Sequence, residues 1–180
     1  MLKLIIPALE SYNEETNEFT ETKEQVLHLE HSLVSISKWE SKWCKPFLGK
    51  ESKTVKETTD YIRCMTITQN IKPEVYDSIT NDNINEVTKY IELPMSATWF
   101  TKESTGSNST EITTSEIIYY WMITYNIPFE CQKWHLNRLL TLVRVCDKKN
   151  APAKNMSKSE IMTRNRNLNK ERREQIKSKG

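Results

Sequence analysis

Only three glycines occur in 180 residues, and that scarcity excludes folds built on glycine-rich turns or a glycine-lined phosphate loop. No stretch reaches the roughly 20 apolar residues that a membrane-crossing helix needs. The opening segment MLKLIIPALESYNEE has neither a long apolar run nor a small-residue cleavage site, so the chain is expected to stay where it is made. Paired cysteine spacing is missing as well. Cys44, Cys64, Cys131 and Cys146 stand singly in apolar or helical surroundings, where reduced thiols packed as small hydrophobes are the expected state. GxSxG, GxGxxG and Walker-type motifs do not occur, and the acids are spread along solvated segments. These absences point away from an enzyme and leave no cofactor to expect.

What is present is a soluble composition, 37% hydrophobic and 28% charged, long enough for one ordinary domain with a tail. The net charge of +2 hides an uneven distribution. Residues 147–180 hold eleven Lys and Arg against four acids, net +7, and the other 146 residues hold 15 basic and 20 acidic groups, net −5. A mildly acidic body ends in a basic tail.

Two β-type runs, LKLII (2–6) and QVLHLEH (25–31), flank an acidic, turn-prone connection, so a β-hairpin or small sheet is expected at the N-terminus. Ser32 is placed to cap a helix through Trp43, with Leu33, Ile36, Trp39, Lys42 and Trp43 in one sector, and Pro46 stops it. Thr54 and Glu57 have capping-box spacing ahead of VKETTDYIRCMTI, whose apolar side is read as Val55, Tyr61, Ile62 and Met65. Pro73 fits the first position of a short helix, and Thr80 or Asn81 caps NINEVTKYIEL. Residues 101–110, TKESTGSNST, read as a mobile loop. Thr113 and Glu116 then repeat the capping-box spacing before EIIYYWMITYN, apolar on nearly every face and hence expected at the centre of the core. Pro128 is expected to open one continuous helix, FECQKWHLNRLLTLVRVC (129–146), antiparallel to the one before it. The expected fold class is α+β, mostly α. A hairpin region (1–31) packs on a helical body (32–150), followed by a basic helix or tail (151–180).

On a continuous helix Cys131 and His135 would share a face. A thiol–imidazole pair or, with His28 and His31 or Cys146 completing the set, a zinc site is the reactive reading; neither a CxxC nor an HxxxH pair occurs. Packing is the favoured one, with Trp121, Trp134, Arg138, Leu139, Leu140 and Val143 as core residues. Trp39 and Trp43, four apart and flanked by Lys38 and Lys42, read either as core or as a protein-contact surface, because Trp concentrates interface energy. In the tail Arg164, Arg166, Lys170, Arg172, Arg173 and Lys177 are placed to meet phosphates or an acidic protein partner, or else to remain a solvated helix.

The segments LEHSLVSISKWESKWCKPFLGKE (29–51), EIIYYWMITYNIPFECQKWHLNRLLTLVRVCDKKNAP (116–152) and RNRNLNKERREQIKSKG (164–180) together resemble a family of small proteins of tailed bacteriophages, the tail assembly chaperones or tail-gene-cluster proteins. The resemblance runs from about Leu29 to the C-terminus. It implies a non-enzymatic virion assembly protein that binds tape measure or tail-tube components, with no catalytic residue to transfer. It also implies a place in the host cytoplasm, or in the virion if the protein stays as a minor tail or neck component. Self-association and nucleic acid are the further partners to weigh, and no membrane is expected. The apolar contact surface would come from the Trp39/Trp43 helix or from the Tyr119, Tyr120 and Trp121 helix.

Overall fold

The computed structural model describes residues 1–13, 18–100, 112–151 and 158–176, in an α+β arrangement that is mostly helical. Alternation of apolar and polar residues makes β1 (Leu2–Ile6) and β4 (Gln25–Leu29) strands with one buried side. Leu4, Ile6, Leu27 and Leu29 point inward, while Ile5 between them is exposed. Leu4 stands opposite Leu27 in the antiparallel ladder. The connection read as a plain turn contains two more strands, β2 (Leu9–Asn13) and β3 (Glu18–Thr22), which pair with each other. Leu2 lies opposite Leu29 and Leu9 opposite Thr22, so partner numbers sum to 31 in both ladders. The pairing register is therefore one, and the break comes at Pro7, which has no N–H to give to a ladder.

The outer edge of β4 is covered by residues 65–67: Glu30 N–H donates to Met65 O at 3.0 Å and Ile67 N–H to His28 O at 2.8 Å. On β1, the Asn83 side-chain amide donates to Ile5 O at 3.0 Å, which ties the chain around Asn83 to the sheet. Both contacts satisfy edge groups that would otherwise be open to another chain.

Ser32 begins α1 (Leu33–Trp43) through a reciprocal box with Ser35, Thr54 begins α2 (Val55–Met65) with Glu57, and Thr80 begins α4 (Asn81–Glu92) with Asn83. Each cap satisfies backbone N–H groups left over at a helix start. Val55 is solvent-exposed and takes no part in the core. Pro73 precedes a single turn, α3 (Glu74–Asp77). With so few glycines, left-handed backbone falls to Cys44 (φ 51°), Asn70 (58°), Met95 (49°) and Asn126 (51°); Cys44 is the exposed residue that ends α1. That exposure corrects the expectation that all four thiols are buried.

α5 (Ser115–Thr124) starts one residue later than the predicted box, after Thr114, which makes no side-chain cap bond. Its cap comes from elsewhere. The buried Glu40 carboxylate of α1 accepts Ser115 N–H at 2.8 Å through one oxygen and Phe47 N–H at 2.7 Å through the other. α5 consequently packs chiefly on α1 and not as the antiparallel partner of the next helix. It is also peripheral: Ile118 and Met122 are buried, but Tyr120 and Ile123 are 64% and 62% exposed.

The predicted continuous helix over 129–146 is broken. Pro128 opens a 3-10 turn, Phe129–Lys133, in which Cys131 N–H bonds Pro128 O and Trp134 N–H bonds Cys131 O. The chain is then extended at Trp134 (ψ 162°), because Leu136 N–H is drawn to His31 O at 2.7 Å and His135 bridges Ser32. Tertiary pairing has overridden local helix propensity, and α6 (Leu136–Asn150) starts only afterwards. The chain divides into Met1–Asp147, which holds the sheet and the core, and Lys148–Gly180, which holds α7 (Lys158–Ile176). No helix among the described residues is long and apolar enough to cross a membrane. The loop expected at 101–110 lies outside the described residues.

Candidate interaction surfaces

The Trp39/Trp43 pair folds inward. Trp39 is 1% exposed and its indole N–H donates to Glu57 O at 2.9 Å; Trp43 is half-buried and donates to Asp60 Oδ2 at 2.8 Å. Their rings lie 6.1 Å apart, near parallel, and Phe47 meets Trp39 edge-on at 5.2 Å. Burying a Trp of this size contributes roughly 4–6 kcal/mol of gross hydrophobic stabilisation. Trp39 is thus a core residue that ties α1 to α2, which corrects its reading as a contact surface.

Lys42 and Lys38 are exposed, and Lys42 is paired to Asp60. A second bridge, Lys45 to Glu57 at 2.8 Å, adds to the Thr54 N–H bond at 2.7 Å on the same carboxylate. Together, with Lys45 the larger influence, they hold Glu57 down to about 2. The face between α1 and α2 is occupied by its own internal contacts.

The break before α6 places Cys131 and His135 differently from helix neighbours. Cys131 is buried, and burial pushes its thiol pKa up, which favours the neutral, unreactive form. No hydrogen bond joins Cys131 to His135 among the described residues. His135 instead donates from Nε2 to Tyr90 O at 3.1 Å and accepts Asn137 N–H on Nδ1 at 3.3 Å, so its neutral ring is fully partnered.

Beside it, 5.1 Å between ring centroids, lies His31, whose Nδ1 meets the Tyr61 hydroxyl at 2.5 Å. Burial first, and then His135, push the His31 pKa down to about 3. Tyr61, bonded also to Ser35, and Tyr90, bonded to Glu30 at 2.7 Å, complete a buried polar seam between the strand β4, α2, α4 and α6. The sequence offers His31 only as a ligand and Tyr61 only as an apolar residue, and nothing in it singles out Tyr90. No group of three or more His, Cys, Asp or Glu side chains converges on a metal-sized site among the described residues.

An apolar strip lies on the outside. About 100° of rotation per residue brings Tyr119, Tyr120 and Ile123 of α5 onto one arc. The Tyr119 ring sits 6.4 Å from that of Phe129, itself 53% exposed, and the Tyr119 hydroxyl is fixed by Gln132 at 2.8 Å. Of the six residues expected in the core, Leu139 and Val143 are buried; Trp121, Trp134 and Leu140 are half-buried. Arg138 is exposed and stacks on the Trp134 ring at 4.2 Å. This corrects Arg138 from core residue to a surface lid over a tryptophan.

In α7 Arg164, Arg166, Lys170, Arg172 and Arg173 are all exposed, and Lys177 lies outside the described residues. Comparison of the chain with family models, with curated proteins and with solved structures finds no match.

Proposed function

We propose that this chain is a non-catalytic assembly protein of a tailed bacteriophage that binds tape measure or tail-tube components and keeps them soluble in the host cytoplasm before the tail polymerises. The observation that supports this reading is the strip of exposed Tyr120, Ile123 and Phe129 around the half-buried Tyr119. Large apolar side chains grouped on the surface of a soluble protein are characteristic of protein–protein contact. The strip is held on a rigid base, since Glu40 fixes the start of α5 and Gln132 fixes Tyr119. Its resemblance to the phage tail assembly chaperones supplies the class of partner.

The test is co-expression of the tagged chain with tape measure and tail-tube proteins from the same gene cluster, followed by capture at low salt and at about 1 M salt, where charge contacts are screened within about 3 Å. Wild type should retain a tail protein at both salts, as should a chain ending at Asn150, whereas Tyr120→Asp/Ile123→Asp should lose it. A wild-type chain that captures neither protein overturns the reading. Retention by the double variant removes the strip as the contact.

A further inference from the structure

We infer that α7 carries a second, independent activity: sequence-tolerant binding to the phosphate backbone of duplex nucleic acid through one face of the helix. Three of the six cations of α7 share one face. Arg166, Lys170 and Arg173 follow each other at i, i+4 and i+7, within an arc of about 60° at about 100° per residue. The positions of Glu160, Glu171 and Glu174 fall in another arc of similar width, centred roughly 100° away. Ser159 and Asn169 lie on or beside the basic arc and add donors suited to phosphate oxygens. Each described side chain from Ile161 to Arg173 is exposed, so the helix contributes no core and presents this face to solvent.

Magnitudes decide between an acidic protein and a nucleic acid. Exposed ion pairs between proteins contribute about 0–1 kcal/mol each, so binding an acidic protein would need an apolar seam beside the charges. Met162 is the one large apolar residue on this arc. Against a phosphate backbone the same three cations gain from release of condensed counterions and need no seam. No aromatic residue occurs between Lys158 and Ile176, which leaves base stacking out and makes a backbone contact the fitting mode. A lone helix also matches the roughly 12 Å width of the B-form major groove.

The experiment is fluorescence anisotropy on the full chain with a mixed-sequence DNA duplex of about 20 base pairs, an RNA duplex of equal length, and poly-glutamate as the acidic-polymer control. Three neutralised phosphates predict affinity that falls about 40-fold between roughly 50 and 200 mM salt. Arg166→Gln/Arg173→Gln should flatten that dependence by about two thirds, while Arg164→Gln/Arg172→Gln, equal in charge removed, should leave most of it. Preference between the duplexes names the source, and either preference supports the backbone contact. Equal loss in both variants, no duplex binding, or tighter capture by poly-glutamate overturns the inference. Far-UV circular dichroism confirms that each variant keeps its helix content.

Discussion

Acidification from about pH 7.5 to about pH 5 is expected to remove roughly 2 kcal/mol of folding stability through His31 alone. The imidazole titrates at 6.5 when exposed and at about 3 when folded, because burial and the neighbouring His135 disfavour its charged form. Between those values the unfolded chain binds one more proton than the folded chain, so stability falls as pH falls, with a limiting slope of about 1.4 kcal/mol per pH unit. His135, lowered by burial, acts in the same direction. Of the groups facing them, Tyr61 and Tyr90 are pushed upward by burial and stay neutral throughout the window. Glu57, held down to about 2, loses its contribution only as the pH drops below the ordinary carboxylate range near 4.5. The window above about pH 5 therefore isolates the histidines. Urea titrations at several pH values would measure the slope in wild type and in His31→Asn, whose amide can still meet the Tyr61 hydroxyl. The variant should be less stable near neutral pH, by about 1–3 kcal/mol for the lost ring, and distinctly flatter in its pH dependence. A variant that declines as steeply as wild type would show that His31 is not the group responsible.

Trp39→Phe should cost about 2–3 kcal/mol in chemical denaturation, since it leaves the buried Glu57 carbonyl without its donor. Trp43→Phe, at a half-buried site, should cost about half as much. Glu40→Ala strips the partner from two buried N–H groups, at about 1–3 kcal/mol each, and should lower the thermal midpoint more than either tryptophan change. Met95→Gly and Cys44→Gly relieve left-handed backbone and should raise stability by up to about 1 kcal/mol each, visible as a higher urea midpoint at unchanged slope. A fall in midpoint for both would show that the side chains contribute more than the strain costs.

The parts of the fold legible in the sequence are those governed by neighbours a few residues apart. The caps at Ser32, Thr54 and Thr80 are local hydrogen-bond arrangements, and the helices they start end within a residue or two of where the pattern places them. The start of α5 falls one residue past the local capping pattern because its cap is a carboxylate 75 positions away. The single helix over 129–146 fails for a related reason. His31 and Ser32 recruit the backbone around His135 into pairing, and nothing within the segment announces it. β2 and β3 were hidden by their acidic composition, which reads as a turn although the register of β1 and β4 continues through it. Of the two readings of Trp39, core and contact surface, the core reading holds; periodicity alone does not choose between them, because it identifies a helical sector without saying what lies opposite. The Tyr119–Tyr120 sector was read as a source of apolar contact, and its outer side is exposed.

The carboxylate of Glu40 has a consequence for how this chain can change over time. Since it anchors Ser115 from α1, the starting point of α5 is set by a helix 75 positions away and not by the residues just before it. The anchor travels with α1, so a change that leaves Glu40 and Ser115 in place should leave α5 beginning at Ser115, with the surface it displays unmoved.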